Sequence, residues 1–290
     1  MHYVKVKTIL SAKNGMNLYR GCSHGCIYCD SRSKVYNMQH KFEDIEIKGN
    51  AIELLEQVLK KKRKKCMIGM GSMTDPYIPL ENNIKNTRKA LESVDKYGFG
   101  VTLITKSTNV LNDLDLLKKI NSKTKCVIQM TLTTFDEKLC KTIEPNVSST
   151  KKRFETLKIL NQNNIPTVVW LTPILPFIND TKENLVGILD YCIKAKVYGI
   201  ICFGMGVTLR DGNREFFYEQ LDKYFPKLKE KYIKTYRNNY IINSPNNKFL
   251  MNIFRKTCKQ HNILCDNNKI FEYLNTFESK KMAEEQLELF

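Results

Sequence analysis

Short apolar runs alternate along this chain with stretches of helical period, and that alternation restricts the fold more than any other feature. The runs fall at 66–71, 101–105, 127–132, 167–171 and 199–203, and the amphipathic stretches between them near 82–97, 110–120, 150–163 and 181–195. Runs of this length read as strands and the longer periodic stretches as helices. A further strand near 16–19, and a helix over 50–63 with Ile52, Leu55 and Leu59 on one face, come before the series. Repeated β–α units predict a parallel sheet with right-handed crossovers. Six such units fall short of the eight that close a full barrel. The expected class is therefore α/β, a partial (β/α)6 TIM-like barrel, with a separate strand over 3–9 ahead of it. Sites in such barrels collect at the C-terminal ends of the strands.

The loop at the end of the first of these strands carries Cys22, Cys26 and Cys29 in a C-x3-C-x2-C spacing, with Gly21 and Gly25 among them. Thiolate is a soft ligand suited to zinc, copper(I) or iron–sulfur. The glycines let the backbone turn sharply and approach a cluster closely. A structural zinc site closes with four ligands, so a zinc loop would need His24 or a distant cysteine. Three thiolates on a four-iron cluster leave one iron open to bind something else.

CSHGCIYC, residues 22–29, resembles the cluster loop of the radical S-adenosylmethionine (SAM) superfamily. GSMTDPYIPLE (71–81), LITKSTNVLNDLDLL (103–117), TLTTFDEKLCKTIEPNVSSTKKR (131–153), TPILPFIND (172–180) and FGMGVTLRDGNRE (203–215) resemble its spore photoproduct lyase-like branch, also labelled DNA repair photolyases. The resemblance implies a [4Fe-4S] cluster on Cys22, Cys26 and Cys29, and SAM on the open iron. It also implies a 5′-deoxyadenosyl radical that takes hydrogen from a substrate, with the protein supplying binding, orientation and protection. Tyr28 corresponds to an aromatic against the adenine and to a proposed hydrogen relay. Asp30 stands where the lyase has a second tyrosine. Gly71, Ser72, Thr74, Lys106, Thr131 and Thr133 correspond to SAM contacts. Asp75 and Tyr77 are catalytic candidates, and Glu81, Asn179 and Arg210 are polar candidates for the substrate side. The lyase's donor cysteine falls in the segment where this chain has Ser72 and Met73, and Cys66 stands at the other end of that strand. The resemblance thus implies a related radical reaction, in DNA repair or nucleic-acid modification, with a reductant such as flavodoxin or ferredoxin. Alternatives are a radical SAM enzyme on a protein or small molecule, and a non-enzymatic metal-binding interaction module.

A formal net charge of +17 over 290 residues favours anionic partners. Lys60 to Lys65 are six consecutive cations at the end of the 50–63 helix, where they complement its dipole. Ten cysteines in a chain of this length do not suit a small secreted disulfide scaffold. The first residues alternate like a strand and lack a signal-peptide core, and no apolar run is long enough to span a membrane. The expected setting is cytoplasmic and reducing. Cys126, Cys140, Cys192 and Cys202 read as small buried hydrophobes, and Trp170, the single tryptophan, as core. The expected organisation is a partial barrel over 1–212, a small helical extension over 213–275 (helices over 213–231 and 246–261) and a polar tail over 276–290. That tail ends Gln286, Leu287, Glu288, Leu289, Phe290. QLELF resembles the bacterial sliding-clamp-binding peptide, with Leu287, Leu289 and Phe290 as apolar anchors and Gln286 at the pocket rim.

Overall fold

The computed structural model describes residues 1–280. Its elements run β1 (His2–Val4), β2 (Gly15–Met16), β3 (Tyr19–Arg20), β4 (Glu46–Lys48), α1 (Ala51–Lys61), β5 (Met67–Met70), α2 (Glu81–Ile84), α3 (Asn86–Lys96), β6 (Gly100–Thr105), α4 (Leu114–Lys123), β7 (Cys126–Thr131), α5 (Glu137–Ile143), α6 (Thr150–Gln162), β8 (Thr167–Trp170), α7 (Lys182–Lys194) and β9 (Gly199–Ile201). Then follow β10 (Gly206–Thr208), α8 (Asn213–Tyr224), α9 (Leu228–Tyr236), β11 (Ile241–Asn243), α10 (Asn247–Gln260) and α11 (Asn267–Asn275).

The principal sheet has six strands in the order β2-β5-β6-β7-β8-β9, every pair parallel. This is the partial barrel expected from the alternation. β7 is buried along its whole length, as a strand covered on both faces must be. Helix starts follow local chemistry: the Thr181 hydroxyl accepts the Asn184 amide at 3.1 Å ahead of α7, and Asp136 caps α5 at 2.6 Å. Each satisfies an amide that the first turn leaves without a partner.

The structure departs from the sequence reading in three places. The first strand divides: β2 joins the main sheet, while β3 pairs with β4 in a separate three-stranded sheet, β1-β4-β3. That small sheet braces the cysteine loop. Gly21, at φ +82°, leaves no room for a side chain, since an added Cβ would stand 2.4 Å from the Phe42 carbonyl oxygen.

The C-terminal part is not a purely helical appendage. β10 and β11 form an antiparallel ribbon, with Val207 opposite Ile242. Phe217 and Leu221 of α8, and Tyr232 and Tyr236 of α9, share an apolar cluster with Cys26, Ile27 and Tyr28 of the cysteine loop. Leu250, Phe254 and Cys258 of α10 enter the barrel core, and Ile270 and Leu274 of α11 cover Val127, Val168 and Ile201. A helix apolar enough on one face to reach that core does not stand apart from it.

The beginning of the expected tail also packs on the barrel. The Lys280 amide donates to the Lys123 carbonyl at 3.0 Å, and the Lys125 ammonium pairs with Glu278 at 2.5 Å. Gln286, Leu287, Leu289 and Phe290 lie outside the described residues. Among the described residues, no helix is long and apolar enough to cross a membrane.

Candidate active site

The loop between β3 and the 3₁₀ turn at Asp30–Arg32 brings the three thiols together at the C-terminal mouth of the sheet. Cys22 and Cys26 are buried and Cys29 is half-buried. Burial, with help from Cys29, pushes the Cys22 thiol up to about 12, and burial raises Cys26 well above the ordinary range. Such thiols need a metal to hold them as thiolates.

A structural zinc site closes with four protein ligands. His24 is buried and its Nδ1 faces Asp75 Oδ2 at 3.5 Å. Three thiols and a neighbouring lysine fit an iron–sulfur cluster with one open iron better than a four-ligand zinc site.

A cavity of about 500 Å³ opens beside Cys29, lined among others by Tyr28, Ser72, Lys106, Thr131 and Trp170; Trp170, expected in the core, is half-buried at its wall. Its size suits a nucleoside-sized ligand. The Lys106 ammonium lies 5.8 Å over the Tyr28 ring. Burial pushes that ammonium's pKa down, but Cys26, Glu144, Cys29 and Asp75 outweigh it and leave the pKa above its ordinary value. A permanent cation therefore stands between the cysteine loop and the cavity.

Several residues expected to line the site instead build it. Asp75 accepts the Thr105 hydroxyl and the Lys106 amide, each at 2.7 Å, and the Tyr77 amide at 2.8 Å. It ties the end of β5 to the end of β6 and so aims Lys106. Tyr77 is buried and donates to Asp113 at 2.8 Å, pointing away from the cavity because Asp75 turns its backbone. Glu81 is buried under the Tyr19 hydroxyl. Asn179 is buried and donates to the Thr133 carbonyl at 2.8 Å, and the Thr133 side chain is itself fully buried.

The loop after β5 also differs from expectation. Gly71 has φ +94°, and an added Cβ would stand 2.3 Å from the Ile104 carbonyl oxygen, so only glycine fits. The Met73 and Thr74 amides, however, are not free for a ligand. Both donate to Asn17 Oδ1, at 3.0 and 3.3 Å. Ser72 faces the cavity beside Cys29, whereas Thr74 lines a different hollow with Tyr19 and Arg20. Arg210 lies at the outer edge, 3.5 Å from Asp30 and bonded to the Tyr240 hydroxyl at 2.6 Å.

Two residues in the 131–153 stretch carry more than the sequence reading gave them. Glu144 and Arg153 form a fully buried ion pair at 2.5 Å. The Tyr28 hydroxyl donates to the same carboxylate, and Arg153 donates to the Thr131 carbonyl at 2.7 Å. Burial pulls the Glu144 carboxyl upward, but Arg153 and Lys106 outweigh it and hold the pKa low. This pair links the tyrosine of the cysteine loop to the mouth of β7. A lone Glu and Arg nine residues apart announce nothing of the kind in sequence. Asn17 was likewise invisible, since its partners lie 56 and 57 residues further on.

The family described as the Radical SAM superfamily matches residues 16–192. An uncharacterized protein of Methanocaldococcus jannaschii is 36% identical over 181 residues, 62% of this chain and 66% of that protein. A protein of Pseudomonas phage M6 named radical SAM Nα-GlyT isomerase is 23% identical over 155 residues, 53% of this chain and 32% of its own length. Among solved structures, a spore photoproduct lyase mutant with bound AdoMet and dinucleoside spore photoproduct superposes with TM-score 0.61 at 15% identity, covering 84% of this chain and 73% of that one. The chain thus spans just under two thirds of the archaeal relative's length and most of a spore photoproduct lyase fold.

Proposed function

The chain belongs to the radical SAM superfamily, whose members use a [4Fe-4S] cluster and SAM, and from that premise we propose an enzyme that acts on a lesion or modified base in nucleic acid. When bound, the cluster and SAM supply a 5′-deoxyadenosyl radical. In this reading Cys22, Cys26 and Cys29 hold the cluster, and Lys106 meets the SAM carboxylate. Ser72 and the Thr131 strand end lie alongside, and Tyr28 packs against the nucleoside.

The observation that carries the substrate reading is the outer half of the cavity. Trp170 and Phe203 lie there with ring centroids 6.2 Å apart, and Phe203 and Ile241 are 63% and 61% exposed. One exposed ring, Phe203, beside the half-buried Trp170, on a chain of net charge +17, suits stacking on an unpaired base with phosphates held outside. Cys29 is the one cysteine among the residues lining this cavity. That supports a reaction without the lyase's donor thiol and disfavours reversal of the spore photoproduct itself.

The one-electron carrier we assign to the opposite side of the cysteine loop. A hollow of about 590 Å³ there is lined by His24 and by Lys138, Lys141 and Lys152, which are exposed. Such lysines suit an acidic flavodoxin or ferredoxin. The clamp-like tail would, in the same reading, deliver the enzyme to DNA.

The test is anaerobic incubation of the reduced, cluster-loaded protein with SAM and deuterated oligonucleotides. Deuterium should pass into 5′-deoxyadenosine, and Cys26→Ala should lose both cluster and cleavage. DNA binding should weaken steeply with salt as counterion release requires. Salt-independent binding, or transfer only from peptide or small-molecule candidates, would refute the nucleic-acid reading.

A further inference from the structure

The small sheet beside the cysteine loop holds a second group of metal-ligating side chains. His2, His40 and Asp44 each place a ligand atom within 4.8 Å of the others. The backbone fixes this arrangement. β1 and β4 pair with His2 opposite Glu46, and the His2 amide donates to the Ile45 carbonyl at 3.0 Å.

Each ring nitrogen of His40 can be assigned from its surroundings. Nδ1 lies 3.0 Å from the Lys41 carbonyl, so it carries the proton and donates. In the neutral ring Nε2 is then the lone-pair nitrogen, the form that binds a metal, whereas the imidazolium would turn that nitrogen's proton toward Glu46. Nε2 is buried and makes no hydrogen bond, although Glu46 Oε2 stands 3.4 Å away. A carboxylate cannot satisfy a bare lone pair. A histidine oriented by a backbone carbonyl, with its other nitrogen free, is the usual arrangement of a metal ligand. Asp44 Oδ2 meets His2 Nδ1 at 3.1 Å, so a second imidazole and a carboxylate already share the space.

We propose that His2, His40 and Asp44 bind a borderline divalent ion of the zinc class, with Glu46 or water completing the shell. Imidazole and carboxylate with no sulfur suit zinc in four-coordinate geometry. The ion answers the unpartnered nitrogen of His40 and takes over Asp44 from the Met1 ammonium, which pairs with its other oxygen at 2.6 Å. It also has a structural consequence. The ligands join the N-terminal strand to the 40–44 segment, and within that segment the Phe42 carbonyl accepts the Cys22 amide at 3.1 Å. The ion braces the segment that holds the first cysteine of the loop.

The experiment uses the cluster-loaded protein, dialysed anaerobically against buffered Zn²⁺. Zinc and iron are counted by elemental analysis, and the zinc shell is read by X-ray absorption. The expected result is one zinc per chain beyond the cluster iron, with nitrogen and oxygen neighbours only. His40→Ala should weaken binding tenfold or more and remove the rise in melting temperature that zinc gives the parent protein. Asp44→Asn, at a half-exposed position, should weaken binding in the same direction should His40→Ala not fold. Sulfur in the shell would put the ion in the cysteine loop and overturn the proposal. So would zinc retained unchanged by the folded variants, or no binding at high micromolar zinc.

Discussion

Replacing Glu144 by glutamine tests whether the buried pair behind Tyr28 acts as charges or merely as packing. Glu144 and Arg153 are both 0% exposed and 2.5 Å apart. The substitution keeps the shape and an acceptor for Tyr28, but it leaves the Arg153 cation buried with only neutral partners, the Thr131 carbonyl at 2.7 Å and Cys140 Sγ at 3.1 Å. Removing one member of a buried pair costs about 3–5 kcal/mol. For a chain of this length that corresponds to a fall in melting temperature of roughly 6–10 °C. Removing both charges, in Glu144→Gln with Arg153→Met, should restore about 1–3 kcal/mol relative to Glu144→Gln alone, because the uncompensated cation is gone. The assay is denaturant unfolding of the parent, both single variants and the double variant. The pH dependence has a definite sign. The folded-state pKa of Glu144 is lowered, so its contribution is fully present above the unfolded value, about 4.3. It is lost as pH falls through the folded value. The gap between parent and Glu144→Gln should therefore be flat from neutral to mildly alkaline pH and narrow in acid. Strict additivity of the two substitutions would refute the reasoning.

Lys106→Met should leave the cluster iron content unchanged and lower SAM cleavage by at least tenfold, chiefly through a raised KM for SAM. Equal kinetics with full iron loading would remove Lys106 from the cofactor side. Gly71→Ala should destabilise the fold by about 1–3 kcal/mol, since alanine is strained at that φ, and the overlap with the Ile104 carbonyl adds to the cost. A melting temperature equal to the parent's would contradict that contact. Deleting residues 286–290 should abolish binding to the cognate sliding clamp in titration while leaving SAM cleavage intact. Equal binding with and without the tail would dispose of the clamp reading.

Periodicity alone carried much of the architecture. The strands from β5 to β9 and the helices α3, α4, α6 and α7 fall within a few residues of where alternation puts them, because a strand buried on both faces must be apolar throughout and a covering helix must be apolar on one side; the short α5 (Glu137–Ile143) was not foreseen. The cysteine loop was legible for a similar reason: ligands that serve one centre from one short loop keep a fixed spacing. Other elements left no such trace. β10 and β11 are three residues each, too short for a periodic signal, and they exist because they pair across more than thirty intervening residues.

Side-chain direction was the part that only tertiary structure decided. Asp75, Tyr77 and Thr133 sit at strand ends as expected. Their polar groups are nonetheless consumed by Lys106, Asp113 and the interior beside Glu144, so they shape the cavity from behind. Conversely, Glu144, Arg153 and Asn17 acquire their roles from partners distant in sequence. A residue's type and its place on an element follow from local sequence. The partner that takes up its hydrogen bonds or charge is set by packing between elements, because a buried polar group must be satisfied by whatever the fold brings next to it.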